Sequence, residues 1–90
     1  MTTDTVRMNR ERIESLVIGA IAGELELPPE GLSATTIIRH LAGADSVNVL
    51  RIIVRIEREL GIELQDEVVF GLSTVEELTA AVARLCGHPE

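Results

Sequence analysis

The chain has 90 residues, the size of one small domain, and 46% of them are hydrophobic, which excludes a disordered tail. Binding to a phosphate backbone needs clustered positive charge, and a formal net charge of −7 argues against it, so no nucleic-acid role is expected. With one Phe and neither Trp nor Tyr, the core must be aliphatic and few side chains remain to stack on bases. The single cysteine, Cys86, rules out an internal disulfide and fits a reducing compartment. No basic-then-apolar leader opens the chain and no apolar run reaches membrane-spanning length, so the expected location is cytoplasmic, away from the membrane.

The first helical signal runs roughly from Val6 to Glu26, where Ile13, Leu16, Val17, Ala20, Ile21 and Leu25 recur at three- and four-residue steps. Pro28-Pro29 forbids its continuation. The long connection up to Asp45 is marked as loop by Pro, Gly and Ser, and Leu32, Ile37, Ile38 and Leu41 are expected to tuck it against the core. A second helix is expected from Ser46 to Leu60, with Gly61 as its stop. Its β-branched run Ile52-Ile53-Val54 favours a strand locally, but the segment is too long for one and is punctuated at helical spacing. A short third helix follows over Asp66 to Phe70 and is broken by Gly71. The fourth opens on Ser73-Thr74-Val75-Glu76, a capping-box pattern with Ser73 as cap. Val75, Leu78, Ala81, Val82 and Leu85 give its buried stripe, and Gly87 and Pro89 end it. The fold class is therefore all-α: a four-helix bundle with a long loop between helices 1 and 2 and a short third helix. Met1 and the short tail read as one freestanding domain over 1–90.

The second helix carries more apolar surface than one core needs. Val49, Ile52, Ile53, Ile56 and Leu60 form a stripe sufficient for docking. Val47, Leu50 and Val54 form another. Either the helix is buried on both sides, or the second stripe is a patch for a partner. The same segment holds Arg51, Arg55 and Arg58 against Glu57 and Glu59, a basic stretch in an acidic chain. Local pairing accounts for Arg55 with Glu59, but poorly for Arg51.

Asp45-Ser46 stands where this helix begins. Asp-Ser often does no more than cap a helix, and read alone that is the simpler account. Yet Asp45 can serve as cap by itself, which would free the Ser46 hydroxyl, and Ala42-Gly43-Ala44 leaves that hydroxyl open. A phosphate attached there would face the positive end of the helix dipole. A catalytic-triad reading fares badly, because Ser46, Asp45 and His40 are adjacent in sequence without triad geometry. His40 reads as a surface residue and His88 as part of a tail. Two histidines and Cys86, this far apart, make no metal signature. No metal and no catalytic residue are expected.

The ordered set resembles the acyl carrier protein family, which includes peptidyl carrier proteins. It comprises a long first helix, a long loop, Asp45-Ser46-Val47 opening a second helix, Gly61-Ile62-Glu63-Leu64, Asp66-Glu67, and Ser73-Thr74-Val75. The likeness spans roughly Arg7 to Leu85. It implies a four-helix bundle that carries 4′-phosphopantetheine, taken from coenzyme A, covalently on Ser46. It also implies partner contacts at Val47, Leu50 and Val54, the stripe that periodicity leaves unexplained, with Asp45, Asn48, Arg51, Arg55, Asp66 and Glu67 around it. The implied function is that of a monomeric, non-catalytic carrier holding an acyl or aminoacyl intermediate as a thioester. The partners so implied are a phosphopantetheinyl transferase, an acyl- or aminoacyl-loading enzyme, and a ketosynthase, acyltransferase or condensation enzyme. The pathway would be of polyketide, nonribosomal peptide or fatty acid type, as in antibiotic biosynthesis and other secondary metabolism.

Two features depart from that family. The usual Leu-Gly-x-Asp-Ser reads Leu41-Ala42-Gly43-Ala44-Asp45-Ser46, so that a residue is inserted or Ala42 replaces the leucine. Fatty-acid carriers usually place acidic residues on the second helix, where this chain has Asn48, Arg51 and Arg58. The main rival is a helical protein-interaction module that uses the Val47–Leu50–Val54 groove without a covalent arm.

Overall fold

The computed structural model describes residues 10–71 and 73–86. Those residues are all-α: α1 spans Arg10–Leu25, α2 Ser46–Leu60, α3 Asp66–Gly71 and α4 Val75–Leu85. Short 3-10 turns at Pro29–Gly31 and Ile38–His40 punctuate the long connection between α1 and α2. The expected start of the first helix at Val6, the expected terminators of the fourth, Gly87 and Pro89, and His88 lie outside the described residues.

Helix α1 is the axis on which α2 and α4 pack. It buries Ile13, Val17, Ala20, Ile21, Ala22 and Leu25. Its end has a backbone cause as well as the prolines. Glu26 adopts φ 57, and the Leu27 N–H turns back to the Ala22 carbonyl at 3.0 Å. That left-handed closure suits glycine, and a side chain there costs about 1–2 kcal/mol. Helix α2 ends the same way with the preferred residue. Gly61 sits at φ 67, and Gly61 and Ile62 both donate to the Glu57 carbonyl.

On α2 the buried residues are Ile52, Ile53 and Ile56. Val49 and Leu60, expected with them, are only half-buried at the margins. The loop tucks in Leu32 and Ile38, with Leu41 half-buried. Ile37 instead turns outward, at 38% exposure. The cause is a single antiparallel bridge between Ile37 and Thr74, whose extended backbone sends neighbouring side chains to opposite faces. Phe70 is 71% exposed, which leaves the described core wholly aliphatic.

The same bridge corrects the expected start of α4. The cap is Thr74, not Ser73, and its box partner is Glu77, not Glu76. Thr74 Oγ1 accepts from the Glu77 N–H at 3.2 Å, while Glu77 Oε1 accepts from Ser73 N–H at 2.7 Å and Thr74 N–H at 3.4 Å. The Ser73 carbonyl is taken by the Ile38 N–H at 2.9 Å, so Ser73 belongs to the extended pairing and the helix opens one residue later. Two further N–H groups of the first turn, those of Val75 and Glu76, donate to the loop carbonyls of Thr36 and Ala34. The long loop thus caps α4 as well as linking α1 to α2.

The buried face of α4 is also rotated from expectation. It comprises Val75, Leu78, Thr79, Val82 and Ala83, while Ala81 is half-buried and Leu85 is 47% exposed. Thr79 is 2% exposed, and its hydroxyl has no hydrogen-bond partner among the described residues.

Candidate functional site

The turn that delivers the chain into α2 is fixed by four backbone and side-chain bonds. Ala44 N–H donates to the Leu41 carbonyl at 3.1 Å and Asp45 N–H to the Gly43 carbonyl at 2.9 Å. Gly43 lies at φ 83, a conformation that disfavours any side chain, although an added Cβ would meet only Leu25 Cδ2 at 3.7 Å. Of the small residues before Ser46, Gly43 is therefore needed for its backbone freedom. Asp45 is extended, with φ −88 and ψ 178, and its Oδ1 accepts the Asn48 N–H at 2.8 Å. The Asn48 side-chain amide reaches back to the Gly43 carbonyl at 2.8 Å.

This arrangement divides the work between Asp45 and Ser46. Asp45 is the N-cap of α2 and Ser46 its first helical residue. The Ser46 side chain is exposed and makes no hydrogen bond among the described residues. Its hydroxyl lies at a helix N-terminus, where unpaired N–H groups and the dipole favour an attached anion.

Ser46 borders a cleft of about 370 Å³ with Arg39, Ala44, Val49, Leu50, Val69 and Phe70. Arg39 was not nominated from the sequence. Its Nη2 donates to the carbonyls of Val69 and Phe70 at 3.4 and 3.3 Å, tying the loop to the last turn of α3. Glu57 plays a similar part on the far side, where its Oε2 accepts the Leu64 N–H at 2.8 Å. Neither residue carries a recognisable signal in sequence, because each binds backbone groups.

Beside this cleft, α2 presents an outward groove of about 620 Å³. Val47, Leu50 and Val54 line it at 59%, 51% and 44% exposure. The second stripe is thus at the surface, and the alternative of a helix buried on both sides does not hold. Arg51, Arg55 and Arg58 flank the apolar residues, with Glu24 and Glu59 at the rim. Arg55 is engaged on both sides, at 3.4 Å from Glu24 and 3.8 Å from Glu59. Its guanidinium lies over α1 at Gly23, where an added Cβ would come within 2.5 Å of Nη1. Gly23 therefore makes room for Arg55.

The nominated residues fall in four places. Val47, Leu50, Arg51, Val54 and Arg55 share the groove; Asp45, Ser46 and Leu50 share the cleft; Leu50 joins the two. Asn48 is spent on the turn that positions Ser46. Asp66 and Glu67 lie on α3, and Glu67 faces a separate cleft with Glu77 and Arg84. Of the remaining residues weighed from the sequence, His40 is exposed, and burial pushes the Cys86 thiol up from its ordinary range. No His, Cys, Asp and Glu grouping suited to a metal ion occurs among the described residues, and no described helix is long and apolar enough to cross a membrane.

Comparison with characterised proteins found no match. The sequence matches the protein family described as the phosphopantetheine attachment site over residues 15–82. That span runs from within α1 to within α4 and takes in the turn, the cleft and the groove. The chain belongs to the phosphopantetheine-attachment family, whose members carry 4′-phosphopantetheine as a covalent group.

Proposed function

We propose that Ser46 is the residue that bears the arm, and that the chain is a carrier which presents acyl or aminoacyl intermediates to biosynthetic enzymes. The observation that carries this reading is the free hydroxyl of Ser46. Asp45 has taken the capping role, so the exposed Oγ is available as a nucleophile at a helix N-terminus. An attached phosphodiester fits there: the N-terminus of α2 favours an anion, and Arg39 lines the same cleft as Ser46. When bound, the arm supplies a terminal thiol that holds the cargo as a thioester.

The chain's own residues position the arm and offer a grip. Gly43, Asp45 and Asn48 lock the turn that sets the direction of Ser46. Val47, Leu50 and Val54 provide exposed apolar area from the next residue to about two helical turns beyond it, so that a partner can dock beside the attachment point. Tethering then raises the effective concentration of the cargo at the docked partner's active site. The partners in this reading are a phosphopantetheinyl transferase, a loading enzyme, and enzymes that condense or transfer the load. The catalysis belongs to them. The arginines on α2 favour a dedicated polyketide or nonribosomal peptide pathway in the cytoplasm over housekeeping fatty-acid synthesis.

Incubation with coenzyme A and a broad-specificity phosphopantetheinyl transferase tests the reading by intact mass. The wild-type chain should gain the mass of one arm, and Ser46→Ala should gain none while keeping its helical circular dichroism. A folded wild-type chain that gains no mass refutes the proposal.

A further inference from the structure

The outward face of α2 combines apolar and cationic side chains in a fixed register. Val47, Leu50 and Val54 line the same groove as Arg51, Arg55 and Arg58, with an aliphatic group directly beside an arginine at Leu50–Arg51 and Val54–Arg55. Arg55 is held within the chain between Glu24 and Glu59. Arg51 and Arg58 have no ion pair or hydrogen bond among the described residues. Both are exposed. They stand seven residues apart on one face, about 10.5 Å along the helix axis. This face is positively charged in a chain whose net charge is −7.

From this we infer that the groove docks a partner surface that is acidic around an apolar centre. Its two carboxylates lie about 10 Å apart, one for Arg51 and one for Arg58. The inference rests on the carrier reading and specifies the partner of that same site. Arginine suits the task, because its planar fork holds a carboxylate through two parallel hydrogen bonds. The buried apolar area supplies affinity, while the charges set orientation and reject basic faces. Glu24 and Glu59 confine the positive charge, since they engage the middle arginine and leave Arg51 and Arg58 as two separate anchoring points.

The probe is a pair of fluorescein-labelled amphipathic helical peptides with the same leucine stripe. One bears glutamates two turns apart, and the other has lysines at those positions. Anisotropy is measured against the arm-bearing chain, with amide chemical-shift mapping on the same protein. The acidic peptide should bind about tenfold or more tighter than the basic one, weaken with salt, and shift amides from Val47 to Arg58. The double reversal Arg51→Glu with Arg58→Glu should invert the preference without loss of circular dichroism. Binding of neither peptide, equal binding of both, shifts confined to another face, or an unchanged preference in the double variant would each overturn the inference. So would self-association abolished by the double reversal, which would assign the groove to a second copy of the chain. Arm attachment at Ser46 is read separately by mass, so a chain that accepts the arm yet shows no charge preference refutes the docking inference alone. A chain that does not accept the arm refutes the carrier reading.

Discussion

The assignment of cap to Asp45 and of free handle to Ser46 makes a measurable difference between two adjacent substitutions. Asp45→Ala removes the oxygen that accepts the Asn48 N–H at 2.8 Å. Loss of an N-cap side chain costs about 1 kcal/mol, and loss of a negative charge at a helix N-terminus adds about 0.3–1 kcal/mol. The expected total is about 1–2 kcal/mol. In a domain of this size each kcal/mol lowers the melting temperature by about 4–8 °C. Ser46→Ala removes an exposed hydroxyl with no hydrogen bond among the described residues and places the best helix former at the first helical position. Its effect should stay within about 0.5 kcal/mol of the wild type. Asp45→Asn keeps an acceptor and loses only the charge, so it should fall between the two. Thermal unfolding followed by circular dichroism ranks all three. A Ser46→Ala loss equal to or larger than that of Asp45→Ala would show that Ser46 is itself the cap, and the reasoning that frees its hydroxyl would fail.

Four further outcomes follow from the structure. Glu26→Gly should stabilise the chain by about 0.5–1 kcal/mol by relieving the left-handed residue at the end of α1; Gly61→Ala, which places a side chain in open space but at φ 67, should cost about 1 kcal/mol, and urea titration reads both. Thr79→Val replaces a buried hydroxyl lacking a partner with a methyl group of similar size and should stabilise by about 1 kcal/mol in the same titration. Burial raises the Cys86 thiol, so its ionisation is deferred in the folded chain relative to the unfolded one. The neutral thiol carries no penalty below the ordinary thiol range, and stability falls as pH rises through it; iodoacetamide should accordingly react more slowly with folded than with urea-unfolded protein near pH ~8.

What could be read from the sequence was whatever local chemistry decides. The α2 boundaries were legible because an Asp at the cap and a Gly in the left-handed closing position act within a few residues. The surplus stripe of Val47, Leu50 and Val54 was legible for a related reason, since helical spacing alone separates it from Ile52, Ile53 and Ile56. The start of α4 was not, because the choice between Ser73 and Thr74 is made by the Ile37 bridge far away in sequence. Ile37 and Leu85 read as buried for the same reason: periodicity counts apolar residues but does not fix how an element is rotated against its neighbours. Arg39 and Glu57 were invisible because they hold backbone groups of α3 and of the loop before it. Asn48 looked like a docking residue by its place on α2, yet its amide is committed to Gly43.

The carrier reading depends above all on which atom bears the arm. Every basic residue of the chain is an arginine, so trypsin releases residues 40–51 as one peptide whose only hydroxyl residue is Ser46. Tandem mass spectrometry of the protein after treatment with coenzyme A and a phosphopantetheinyl transferase should find one phosphopantetheine on that peptide, with the fragment ions placing it on Ser46. An arm on a peptide containing Ser15, Ser33 or Ser73, with the 40–51 peptide unmodified, would contradict the account.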